Sequence, residues 1–190
     1  MKYQFTQEEY QACVDFSEGV DTSFYASRGQ SNVDKRKKDS LVGKLGEVAV
    51  FNILKSKYED LTYPDFKIYK PREKSWDFDL KAANLNLHVK TQNVEQGRLY
   101  GESWIFQHGG EKRGHYDKEI FDKTSPNQYV AFVTVDLPNK TAYIKSILHL
   151  DKLHENNLFK PPKLEYLKLA NKLAVYFNDI NSCVNPVVQL

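Results

Sequence analysis

Trp76-Asp77-Phe78-Asp79-Leu80 and, after a short turn, Leu87-His88-Val89-Lys90-Thr91-Gln92 form the stretch that decides how this chain folds. Successive side chains of a strand point to opposite faces. Trp76, Phe78 and Leu80 therefore share one face, and Asp77 and Asp79 the other. In the second segment Leu87 and Val89 point one way, and His88, Lys90 and Gln92 the other. Paired as a hairpin, Ser75 to Leu80 and Leu85 to Thr91 have an apolar face that packs, with Asn84 and Asn86 suited to the turn. The opposite face gathers two carboxylates, an imidazole, an ammonium and an amide. A further carboxylate comes from Gly43-Lys44-Leu45-Gly46-Glu47.

That last stretch lies in the best helix pattern of the chain, Ser40 to Lys57. Leu41, Leu45, Val48, Phe51 (or Ile53) and Leu54 recur at three- and four-residue spacing, and Ser40 is a candidate cap. Gly46 carries no side chain, so the helix can lie close to a sheet. Glu47, at the edge of the apolar stripe, can then reach over the sheet surface. Thr6 to Phe16 is a second expected helix, with Thr6 and Glu9 spaced as a capping box. Gly19 to Asp39 reads as loop. Downstream, Phe66 to Tyr69 reads as a strand between Pro64 and Pro71, and Val94 to His115 is irregular with at most one short strand. Asp117 to Thr124 is a helical turn or two. Tyr129 to Val135 and Thr141 to Ile147 are strands joined by a turn at Leu137 to Lys140. After Pro161-Pro162, Leu164 to Phe177 reads as a final helix. The order implies one α/β (α+β) domain over residues 1–190, a mixed central sheet with helices packed on it. Its core spans about residues 40–150, and the helices at 6–16 and 164–177 are appended to it.

The chain has 190 residues, 41% of them apolar and 27% charged, which suits a globular protein. The formal net charge of +2 announces no polyanion partner. Locally, Lys35-Arg36-Lys37-Lys38 is the densest basic run, with Arg28 before it and Lys44 after it. It is either a solvated loop or a phosphate contact leading into the Glu47 helix. Two cysteines, Cys13 and Cys183, exclude a disulfide framework and a structural zinc site. The polar start, Met1 to Tyr10, is no signal peptide, and no stretch approaches the roughly 18 apolar residues of a membrane span. The expected setting is cytoplasmic.

Magnesium and manganese take hard oxygen ligands and keep several waters. Two or three carboxylates on a rigid scaffold are the usual minimum. Such a cation activates water and neutralises charge at phosphorus, and a lysine beside it positions the water. Lys90, on the face shared with the acids, fits that role.

Gly46-Glu47 on a helix, an Asp on one strand and Val89-Lys90-Thr91 on the next resemble the PD-(D/E)XK nuclease superfamily, the restriction-endonuclease-like fold. The resemblance covers Gly43 to Gln92. It implies an α-β-β-β-α-β core and a divalent-metal-dependent endodeoxyribonuclease, a hydrolase using Mg2+ or Mn2+. It makes Glu47 the helix carboxylate, Asp77 the central metal ligand, Lys90 the catalytic lysine and Gln92 an accessory residue. Asp79 competes with Asp77 and is the less favoured, because the family's acid usually opens the strand. DNA is the implied partner, and many relatives work as homodimers. One departure matters: the acid two residues before the lysine is here His88. Either His88 ligates metal in a variant site, or Glu47 and Asp79 make up the lost carboxylate, or the site is inactive.

His108-Gly109-Gly110 and His115-Tyr116-Asp117 form a second candidate cluster, matching no compact metal motif. Under the nuclease reading this segment, with Lys112 and Arg113, contacts substrate. Tyr100, Trp104 and Phe106 are candidates for base stacking, with core packing the competing fate. His149 and His154 have no recognisable context. The alternatives are a catalytically inactive nucleic-acid-binding protein on the same fold, and an interaction domain whose polar strand face is only solvated.

Overall fold

The computed structural model describes residues 1–20, 32–69, 78–109, 117–122 and 126–183. Among the described residues there are seven helices and seven strands, a mixed α/β arrangement. No described helix is long and apolar enough to cross a membrane.

Helix α1 (Gln7–Gly19) starts where its capping box predicts. The Glu9 amide donates to the Thr6 hydroxyl, and the Thr6 amide donates to the Glu9 carboxylate. The long helix α2 (Val33–Leu54) starts seven residues before the expected Ser40, capped by the Asn32 side chain, which accepts from the Lys35 amide at 2.9 Å. The charged run Val33 to Asp39 has no apolar period to reveal it. It is helical because its residues suit a helix and Lys35 pairs with Asp39 one turn on. Residues 21–31, including Arg28, lie outside the described residues.

The central sheet has the order β1-β6-β5-β3-β2. Its strands are β1 (Lys2–Gln4), β2 (Leu80–Ala82), β3 (Leu85–Asn93), β5 (Gln128–Asp136) and β6 (Thr141–His149). β3 and β5 are parallel, from Asn86↔Gln128 to Asn93↔Val135; the other pairings are antiparallel. The crossover between the parallel strands carries α3 (Val94–Tyr100), β4 (Ser103–Gln107) and α4 (Lys118–Phe121). The stretch from Val94 that lacked a readable pattern thus holds a helix and a strand.

One face of the sheet is covered by α1 and α2. Leu45, Val48 and Ala49 of α2 pack there with Leu87, Ala131, Val133, Ile144 and Ile147. Gly46 is the contact point: a Cβ there would lie 2.0 Å from the Thr91 hydroxyl, so only glycine lets helix and strand meet this closely. The opposite face carries a second core of Trp104, Phe106, Ile120, Val130, Phe132, Leu148 and Val175. Pairing skips from Phe132↔Ser146 to Val133↔Ile144, leaving Lys145 as a bulge. The bulge puts Ile144 and Ile147, three residues apart, on the same face.

Two expected elements differ. Phe66 to Tyr69 forms no strand, because the Asp65 carboxylate takes the Lys67 amide and the Tyr69 hydroxyl, a local alternative to a ladder. Leu164 to Phe177 is not one helix. It divides into α6 (Glu165–Leu169), β7 (Lys172–Tyr176) and α7 (Phe177–Cys183). Asn171, at φ 52°, turns the chain, and β7 pairs antiparallel with β4. Helix propensities differ by at most about 0.7 kcal/mol per ordinary residue. Burying one valine side chain such as Val175 contributes about 1.5–3 kcal/mol, so the tertiary partner wins. The C-terminal segment is therefore part of the second core, together with α5 (Leu150–Glu155).

Candidate active site at the edge of the third strand

β2 pairs with β3 only from Leu80↔Leu87 to Ala82↔Leu85. Just before it, the Asp79 amide donates to the Leu87 carbonyl, and the Asp79 carboxylate accepts from the Val89 amide at 2.7 Å. A side chain thus replaces the ladder at the point where the short strand ends. Asp79 is thereby held against the Leu87–Val89 main chain at the β3 edge. Asp77 lies outside the described residues.

The expected alternation along β3 holds. Leu87 and Thr91 face α2, whereas His88, Lys90 and Gln92 face the second core. That face is not open water. His88 is 8% exposed, with its ring against Phe78 at 4.8 Å between centroids. Phe78 was expected beside Leu80 on the other face; it precedes the strand, so alternation does not govern it.

The Lys90 ammonium lies 4.8 Å from the centre of the Phe106 ring and donates to the Asp117 carboxylate at 2.9 Å. The two side chains are 23% and 24% exposed. Asp117 occupies the N-cap position of α4 but makes no side-chain cap bond. Its carboxylate accepts instead from the Gln107 amide at 3.0 Å, and its own amide donates to the Gln107 carbonyl at 2.8 Å. Asp117 belonged to the second cluster in the sequence; the fold brings it to Lys90 and merges the two candidate regions. His115, Lys112 and Arg113 lie outside the described residues. His108 packs its ring on Phe121. His154 hydrogen-bonds the Ile120 carbonyl, and His149 caps α5.

Glu47 sits on the other side of the sheet. It accepts from Lys44, whose ammonium also donates to the Asp65 carbonyl at 2.7 Å and lies over the Phe16 and Phe66 rings. The Lys44 and Glu47 side chains are 7% and 17% exposed. Lys44 is thus an internal partner of Glu47, not the phosphate contact expected of it. Burial pushes the neighbouring Cys13 thiol up to about 12, with Lys44 opposing and Glu47 and Glu9 adding to the shift. Both cysteines are free thiols.

The basic run is largely paired. Lys35 binds Asp39, Lys37 binds Glu18 of α1, and Lys38 binds Glu95 of α3. Arg36 is buried. None of the four is an unopposed cation, because the helix points them at neighbouring carboxylates or inward. Gln92 accepts from the Ser103 amide and donates to the Gly101 carbonyl, holding the turn between α3 and β4. Trp104 and Phe106 are core residues; the Trp104 indole donates to the Val133 carbonyl at 2.9 Å, beside the β5–β6 bulge. Tyr100 is exposed.

Among the described residues no three His, Cys, Asp or Glu side chains form a group that could hold a metal ion. Asp79 lies at the β3 edge, while Glu47 lies across the sheet. No protein-family model, curated protein or solved structure matches this chain.

Proposed function

We propose that this chain is a restriction-endonuclease-like enzyme that hydrolyses phosphodiester bonds in DNA, with Lys90 as its central residue. The observation that carries the reading is the setting of Lys90. Its ammonium is fixed over the Phe106 ring and paired with Asp117, its side chain 23% exposed, on the strand whose Val89 amide binds the Asp79 carboxylate. A cation so placed can orient an attacking water and stabilise charge that builds on a phosphate oxygen in the transition state.

Magnesium or manganese is the cofactor the motif implies. The described residues alone do not fit one, because they assemble no three-ligand group. The ligand expected at Asp77 falls outside them. Supercoiled plasmid, incubated with each metal, tests the proposal. Wild type should nick or linearise it, and Lys90→Ala should lose activity by about 10²–10³-fold while keeping its fold. Intact plasmid with wild type in both metals would overturn it. The lack of a three-ligand group among the described residues favours a second reading, DNA binding without cleavage. Salt-sensitive retention of uncut DNA would identify it.

A further inference from the structure

We infer that Asp117 is the positioning residue of Lys90: its carboxylate holds the ammonium at the β3 edge and supplies the counter-charge that the strand itself lacks. The inference rests on the reading of Lys90 as the centre of the site. Position 88 is the strand position that shares Lys90's face nearest the hairpin, about 7 Å away along the strand. It holds an imidazole that is 8% exposed and wedged against Phe78, so no carboxylate comes from there.

The acid arrives from the junction of β4 and α4. An aspartate at a helix N-cap ordinarily accepts from the amides of the first turn. Asp117 forgoes that role: its carboxylate makes no cap bond and turns to Lys90 and the Gln107 amide. A second bond, from its own amide to the Gln107 carbonyl, pins the residue to the end of β4. The carboxylate is thus fixed on one side by main chain, and the flexible partner, Lys90, is the one it immobilises. Phe106, from β4 itself, lies under the same ammonium. One short strand therefore provides both the floor and the anchor of the Lys90 site.

The test is reductive methylation of lysine amines in the full chain, read by peptide mass spectrometry. Lys90 should react about tenfold faster in Asp117→Asn than in wild type, the worth of a lost charge-assisted hydrogen bond. Asp117→Glu should stay near wild type. Asparagine still accepts from the Gln107 amide, so the fold should survive, and circular dichroism checks it. If it does not survive, wild type alone decides: Lys90 should react about tenfold more slowly than exposed Lys2. Equal rates in either comparison would overturn the inference. In the plasmid assay with magnesium or manganese, Asp117→Asn should lower kcat about tenfold or more with KM unchanged. Asp117→Glu should recover part of it, and Lys90→Ala/Asp117→Asn should be no slower than Lys90→Ala. An unchanged kcat in Asp117→Asn would also overturn the inference. A wild type that cuts nothing defeats the phosphodiester reading, and the methylation rates still decide whether Asp117 fixes Lys90.

Discussion

Two lysine–carboxylate pairs lie on opposite sides of the central sheet, and they are built differently. Lys44 and Glu47 come from one helix, three residues apart, and their side chains are 7% and 17% exposed. Phe16 and Phe66 flank the ammonium, and the Asp65 carbonyl takes a further hydrogen bond. Lys90 and Asp117 come from elements 27 residues apart and are 23% and 24% exposed over a single ring. The chemistry is the same, yet enclosure separates the roles. A cation walled in by rings, a carboxylate and a carbonyl is held inside the protein and serves the fold. A cation at a strand edge keeps a side toward solvent and can meet a ligand.

The largest expected effect that tests this contrast is on the enclosed pair. Lys44→Ala leaves Glu47 in a covered site without its cation, and breaking such a pair costs about 3–5 kcal/mol. Urea unfolding should show the loss, whereas replacing both partners, Lys44→Met with Glu47→Leu, should be nearly neutral. A loss below about 1 kcal/mol for Lys44→Ala, the range of an exposed pair, would erase the distinction. Next comes the open pair, with the opposite pattern. Lys90→Ala should move stability by no more than about 1 kcal/mol, and under the proposed function plasmid cleavage should fall about 10²–10³-fold.

Gly46→Ala probes the wall between the two regions. Its new Cβ meets the Thr91 hydroxyl, so helix and strand must part, at about 1–3 kcal/mol in thermal or urea unfolding. An unchanged midpoint would mean that α2 rides loosely on β3. The smallest effect concerns Cys13, which burial holds at about 12 beside the enclosed pair. Its folded value is raised above the unfolded one. The associated stability is therefore fully present below the unfolded value of about 8.5 and is lost as pH rises through about 12. A thiol reagent at pH 8 should modify Cys183 alone in the native chain and both cysteines in urea. Rapid native labelling of Cys13 would show that the enclosed side is open.

Local signals in the sequence proved reliable where one segment suffices. Thr6 and Glu9 cap α1, the alternation of β3 sets its faces, and the β-branched run from Tyr129 makes β5. The absence of a side chain at Gly46 correctly foretold the close helix–strand approach. Two failures have a common origin. Charged residues 33–39 carry no apolar period, so the start of α2 was hidden. Leu173 to Val175 carry apolar residues that suit either period, and only the partner strand β4 decides between them.

The candidate site divides along the same line. Period alone determined that Lys90 shares a face with His88 and Gln92, because a strand's side chains alternate whatever surrounds them. Which carboxylate meets Lys90 was decided by the tertiary structure. An aspartate at position 117 can cap its own helix or turn away from it, and the two choices look identical in sequence. Docking of the helix end onto Gln107 settles the choice, since it fixes the main chain and aims the carboxylate across the sheet edge. Enclosure of Lys44 is likewise a property of three segments packed together, and no spacing within α2 encodes it.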